Sequence, residues 1–160
     1  MAIAPLHAMF RGINSVTLDA KGRMALPARH REAIRARSAG RLVTTIDSRD
    51  PSLLMYALPD WEAFQARLQQ MSNIRGPVRL LQRLLIGHAT DMELDANGRV
   101  LLPQMLREHA RLERKLVVVG QGNKIEIWSE GNWQERMENW LGEDLETALE
   151  QVGDIEGLSI

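Results

Sequence analysis

Ten residues occur twice in this chain. Leu18 to Pro27 reads LDAKGRMALP and Leu94 to Pro103 reads LDANGRVLLP, identical at seven of ten positions and offset by 76. Such self-similarity restricts the chain to architectures built from two copies of one supersecondary unit. The likeness reaches beyond the ten residues. Val16 and Met92 sit two residues before the shared Leu-Asp start, and Arg31-Glu32 answers Arg107-Glu108. Each half then carries two apolar runs, Leu42 to Ile46 and Leu53 to Leu58 in the first, Leu116 to Val119 and Ile125 to Trp128 in the second. Each closes on an acidic helix start with Trp61 or Trp133, which lie 72 apart, so a small loop is shorter in the second copy.

Residue chemistry assigns the elements of each copy. Residues 13–18 and 89–94 alternate partly between apolar and polar, the mark of a half-buried strand. Asp-Ala-Lys-Gly and Asp-Ala-Asn-Gly are turns, because Asp accepts nearby backbone N–H groups and Gly tolerates positive φ. A second strand follows at residues 23–26 and 99–102. Pro27 and Pro103 end it and open helices over 28–37 and 104–110. The unit therefore reads strand, turn, strand, helix, strand, strand, helix. Between the copies, Gly76-Pro77 interrupts any continuous helix, and Val78 to Ile86 forms an amphipathic one with Arg79, Gln82 and Arg83 on its polar side. Gly120-Gln121-Gly122 reads as a hairpin turn between Val119 and Ile125, since neither Lys-Ser/Thr nor a helix follows to make it a phosphate loop. The expected organisation is an extension at 1–9, a first module at 10–72, a linker helix at 73–87, a second module at 88–141, and an acidic helix with a frayed tail at 142–160.

Charge is divided unevenly. From Arg11 to Arg41 eight basic residues face two acids, a net of +6, whereas Glu130 to Glu156 carries nine acids against Arg136, a net of −8. One end is thus suited to a polyanion and the other to solubility, unless both are solvated helix faces. There is no cysteine, which removes disulfides and thiolate metal sites. His7, His30, His88 and His109 form no ligand pair, no serine sits in a nucleophile elbow, and Asp91 with Glu93 shares an exposed strand face. No enzyme, cofactor or small-molecule substrate is expected. No apolar run approaches a bilayer span, and MAIAPLHA lacks the features of a signal peptide, so the expected location is cytoplasmic, with no membrane partner.

The segments MFRGINSVTLDAKGRMALP, QRLLIGHATDMELDANGRVLLP and VVVGQGNKIEIW resemble the MraZ family of bacterial transcription regulators of the division and cell-wall gene cluster. The resemblance runs from Met9 to about Trp140, and residues 1–8 precede the usual start. It implies an α+β fold of the swapped-hairpin, AbrB-like type: two tandem modules around a small barrel-like core with flanking helices. It also implies homo-oligomeric rings, nucleoid association, and binding of double-stranded DNA at short tandem promoter repeats. The softer hint of assembly in the residues themselves is that each half has too few apolar residues to close a core without a partner.

An antiparallel ribbon fits the major groove, where Arg bonds guanine in a bidentate way. Arg23 and Arg99 follow the turn glycines at equivalent positions and are the leading candidates. Lys21 and Asn97 occupy the matched turn position, while Arg11 and Asn14 lie on or before the first strand. Asp19, Gly22, Asp95 and Gly98 are expected to shape the turns. Arg23 and Arg99 have a second reading as structural partners of Asp19 and Asp95. Arg29, Arg31, Arg35 and Arg37 are either a solvated helix face or phosphate contacts. The competing function is a protein-assembly module whose acidic C-terminal segment and linker helix bind another protein.

Overall fold

The computed structural model describes residues 9–71 and 76–152. The chain divides into a unit ending at Ser129 and a second beginning at Glu130. In the first unit the elements run β1 (Phe10–Thr17), β2 (Arg23–Ala25), α1 (Ala28–Ser38), β3 (Arg41–Ile46), β4 (Ser52–Ala57) and α2 (Leu58–Gln70). They continue through α3 (Gly76–Leu81), which passes into a π-helical turn at Gln82–Ile86. Then come β5 (Thr90–Glu93), β6 (Arg99–Leu101), α4 (Gln104–His109), β7 (Lys115–Gly122) and β8 (Ile125–Ser129). The fold is mixed α+β with antiparallel pairing throughout.

The two modules do not stand side by side; they exchange strands. The main sheet has the order β1-β7-β8-β4-β3-β5, and β2 pairs with β6 as a separate ribbon. Each module's first strand therefore pairs with the other module's third strand, β1 on β7 and β5 on β3, while β4 and β8 pair across the middle. The reciprocity extends to single bonds. Leu26 N–H donates to Gly98 C=O at 3.1 Å, and its equivalent Leu102 N–H donates to Gly22 C=O at 2.9 Å. At the ribbon's centre Met24 faces Val100, its counterpart 76 residues on, and each is 1% exposed.

The sheet is open, with β1 and β5 at its edges, which corrects the expectation of a small barrel-like core. The cause lies in the hairpins. Strands β1 and β2 hold each other only at the tip, through the Leu18–Met24 bridge and Asp19 N–H to Arg23 C=O at 2.8 Å. Beyond it they part, β1 into the sheet and β2 into the ribbon, so neither layer closes on itself.

One face of the sheet carries Leu42, Ile46, Leu53, Met55, Leu116, Val118, Ile125 and Ile127. These form a continuous core with Met24, Leu26, Ile34, Val100, Leu102 and Leu106 from the ribbon and short helices. The opposite face carries Val43 and Tyr56 under Trp61 and Phe64 of α2. Pro59 and Asp60 open α2, where a proline has no donor to lose and a carboxylate meets the helix dipole favourably. The want of apolar residues in each half is thus met within one chain, by the other half.

Three local readings change. The hairpin expected between Val119 and Ile125 is present, closed by Gln121 N–H donating to Lys124 C=O at 2.9 Å, but it turns at Gly122-Asn123. Gly120 and Gln121 belong to β7, which β1 covers, with Gly12 opposite Gly120 and Phe10 opposite Gly122. A β-carbon on Gly120 would lie 2.3 Å from Arg11 N, so glycine is what admits the edge strand. Strand β1 begins at Phe10, and Arg11 to Ser15 are exposed, with Ile13 at 58%, rather than half-buried. The linker helix starts at Gly76-Pro77 and ends in the π turn, where Thr45 Oγ donates to Leu85 C=O at 2.6 Å. Gln82, expected on the polar side, donates instead to Leu68 C=O at 3.1 Å.

The second unit consists of α5 (Glu130–Asn139), a π-helical turn at Trp140–Asp144, and α6 (Leu145–Val152). Trp133 and Trp140 are half-buried and meet edge to face, with ring centroids 5.6 Å apart. The readings of residues 1–8 as an extension and 153–160 as a tail fall outside the described residues.

Candidate nucleic-acid interface

The two hairpin tips are built alike. Asp19 Oδ1 accepts from Lys21 N–H at 2.9 Å and Arg23 N–H at 2.8 Å; Asp95 Oδ1 accepts from Asn97 N–H at 2.8 Å and Arg99 N–H at 2.9 Å. These are the Asx turns that the Asp-x-x-Gly pattern encodes. The second carboxylate oxygen accepts from the arginine side chain, Arg23 Nε to Asp19 and Arg99 Nε to Asp95, both at 2.9 Å. Backbone N–H donation from the arginine, together with the guanidinium itself, holds each carboxyl below its ordinary pKa.

Each tip is also gripped from the opposite module. Gly22 and Gly98 have φ of +84° and +73°, a region that side chains rarely enter. Over Gly98 lies Arg31 of α1, whose Nη1 donates to Asn97 C=O at 3.2 Å. Over Gly22 lies Arg107 of α4, whose Nε donates to Leu102 C=O at 2.9 Å. Sequence reasoning placed Arg31 among residues that either face solvent or touch phosphate. The structure gives it a role that neither reading named: its side chain lies over the turn of the other repeat. The signal was there in the matched Arg31-Glu32 and Arg107-Glu108 pairs.

The ribbon presents the arginines together. Arg23 stands opposite Leu101 and Ala25 opposite Arg99, with Met24 and Val100 buried between them. Strand side chains alternate and opposed residues share a face, so Arg23 and Arg99 leave on the outward side. Their side chains are 31% and 33% exposed. Lys21 and Asn97 are exposed at the two tips. Arg11 and Asn14 are exposed on β1 but three residues apart, so they leave opposite faces of that strand. Of the helix cations, Arg29 and Arg35 are exposed, while Arg37 is held by both carboxylate oxygens of Asp60 at 2.6 and 2.5 Å. Among the described residues no group of three or more His, Asp or Glu side chains has metal-binding geometry, and no helix is long and apolar enough to cross a membrane.

Comparison with known proteins finds one family, described as "MraZ protein, putative antitoxin-like", matching twice, over residues 9–84 and 85–153. The two matches divide the chain where the repeats do. A protein of Halorhodospira halophila is 45% identical over 152 residues, covering 95% of this chain and all of its own length. A protein of Azotobacter vinelandii is 49% identical over 149 residues, covering 93% and 95%. One of Pseudomonas aeruginosa is 50% identical over 147 residues, covering 92% and 94%. Each bears the name "Transcriptional regulator MraZ", a regulatory role rather than a catalytic one.

Proposed function

The chain belongs to the MraZ family, and on that premise we propose that it is a transcriptional regulator that binds double-stranded DNA through the β2–β6 ribbon. The observation that carries the proposal is the pair of outward arginines on one short ribbon, each steadied by an aspartate through Nε. An arginine held through Nε in this way has lost part of its rotamer freedom before it meets DNA. Such a group reads guanine O6 and N7 at a smaller entropic cost than a free side chain. The structural and the DNA-reading roles of Arg23 and Arg99 are then one arrangement, with Asp19 and Asp95 as supports. Lys21 meets phosphate and Asn97 phosphate or adenine, with Arg11 and Asn14 as flanking contacts. Exposed aromatics are missing from the hairpin elements, which favours a duplex over a stacked single strand.

The modules at 10–72 and 88–141 supply one ribbon between them, so the binding unit is the chain, of swapped-hairpin type, rather than the module. A unit with so few cations binds weakly and with strong salt dependence. Homo-oligomerisation into a ring multiplies it along short tandem repeats by effective concentration. The regulator in this reading is a cytoplasmic, nucleoid-associated repressor at the promoter of the division and cell-wall genes. It requires no cofactor, small-molecule substrate or membrane.

The test is a gel shift on the promoter upstream of the chain's own gene cluster, at two salt concentrations with competitor DNA. A specific, salt-sensitive shift that is abolished by Arg23→Ala with Arg99→Ala, at unchanged assembly size, supports the proposal. No shift at low salt refutes it and favours a protein-assembly module.

A further inference from the structure

The outward face of the ribbon is not the same at its two ends. Its four residues are Arg23, Ala25, Arg99 and Leu101, with Arg23 opposite Leu101 and Arg99 opposite Ala25. Under the 76-residue offset Leu101 is the counterpart of Ala25. Leu101 is 58% exposed and takes no part in the core, which is completed on the other side of the strand by Val100 and next along it by Leu102. A leucine left in solvent gains nothing from burial, and directly opposed β-carbons lie about 4.5–5.5 Å apart, so its side chain stands against that of Arg23.

Resting on the DNA-binding reading above, we infer that Leu101 is a specificity-determining residue that packs on the C5 methyl of a thymine next to the guanine read by Arg23. Thymine alone among the four bases carries a methyl group in the major groove, and an apolar side chain is its complement. A guanidinium with an alkyl group beside it is a two-part probe, polar for guanine and apolar for thymine. At the other end Arg99 has only Ala25 beside it, which is too short to cover the same position. The turns differ as well, with Lys21 two residues before Arg23 and Asn97 two residues before Arg99. A chain whose halves are related by near two-fold pairing thus offers DNA a directional face. Its site is non-palindromic, guanine with thymine at one end and guanine without it at the other. A directional unit of this kind suits direct repeats, each chain lying the same way along the duplex.

The experiment selects binding sequences from a library of random duplexes with the full-length chain, Leu101→Ala and Ala25→Leu, and measures assembly mass in parallel. The parent should enrich a motif in which one thymine adjoins a guanine. Leu101→Ala should keep the guanine and lose about fourfold of the thymine preference, the weight of one methyl group. Ala25→Leu should gain a thymine preference at the opposite end. On the selected duplex, replacing that thymine by deoxyuridine should weaken the parent about fourfold and leave Leu101→Ala unaffected. An unchanged thymine preference in Leu101→Ala overturns the inference while leaving the regulator reading intact. An altered assembly mass with an unaltered motif assigns Leu101 to a contact between copies and also overturns it. Failure of the parent to enrich any motif defeats the regulator reading itself.

Discussion

Arg31 of the first module lies so close over Gly98 of the second that a β-carbon there would sit 2.0 Å from Arg31 Cδ. Gly98 also has φ +73°. Gly98→Ala therefore meets two penalties, left-handed strain of about 1–2 kcal/mol and displacement of the arginine, together about 2–4 kcal/mol. At Gly22 the same point lies 3.0 Å from the far end of Arg107 and 3.2 Å from the Leu102 carbonyl oxygen, with nothing closer. Gly22→Ala should cost the strain of about 1–2 kcal/mol and a small shift at Leu102, less than Gly98→Ala. Chemical denaturation of the two variants checks the order. In the Gly98→Ala background, adding Arg31→Ala should recover the clash component and leave the strain.

His30 is 1% exposed, meets the ring of Phe10 edge to face at 5.5 Å, and has no hydrogen-bond partner for Nε2 among the described residues. Burial, with the charge of Arg29 second, holds its pKa below the ordinary 6.5. The unfolded chain takes up a proton near that value and the folded chain resists it. The contribution of neutral His30 is therefore complete above about pH 6.5 and is lost as the pH falls below it. Urea midpoints should drop between roughly pH 7.5 and pH 5.5. His30→Leu, which removes the titrating group, should flatten that drop. An identical decline in the variant would place the acid sensitivity elsewhere.

The repeat announced the elements but not their partners. Turn and strand chemistry is local, so Asp19, Gly22 and the strand at Arg23 were legible from a window of ten residues. Pairing is not local. Because the modules are alike, β1 carries the same pattern whether it pairs within its own module or with β7 of the other, and nothing in the residues distinguishes the two. The same blindness placed the β7–β8 turn two residues early, since the strand that holds Gly120 and Gln121 in the sheet lies more than a hundred residues earlier. Arg31 read as a surface cation because the glycine it clamps belongs to the other repeat. Of the candidate interface, the arginines and their aspartates were legible as types and spacings; their meeting on one ribbon was not.

The Asp19–Arg23 and Asp95–Arg99 pairs separate stability from recognition. Asp19→Asn with Asp95→Asn keeps an oxygen for the turn N–H groups and removes the charge that orients the guanidinium. These carboxyls are held below their ordinary pKa, so what their charge contributes is present above the usual carboxylate range and lost only as acid protonates them. Near neutrality the double variant should unfold close to the parent, because exposed pairs of this kind contribute little to stability. Its specific DNA binding should weaken by about tenfold, as two arginines must then be ordered on contact. Gel shift and denaturation on the same preparation decide it. Parallel losses in both would return the pairs to a purely structural role.

Strand exchange makes a stringent demand on fragments. A piece spanning residues 9–72 retains the β3–β4 hairpin but leaves β1 without β7, β2 without β6, and Met24 without Val100. The apolar surfaces of Leu53 and Met55 then lack Ile125 and Ile127, and the loss of several core side chains at about 1.5–3 kcal/mol each exceeds the stability of an ordinary domain. Alone, the fragment should show no cooperative unfolding and no dispersed amide spectrum. Mixed with a fragment covering residues 76–152, it should recover both, since the missing partners are all on that piece. A first module that folds on its own as a monomer would mean that strand exchange is not what closes the core.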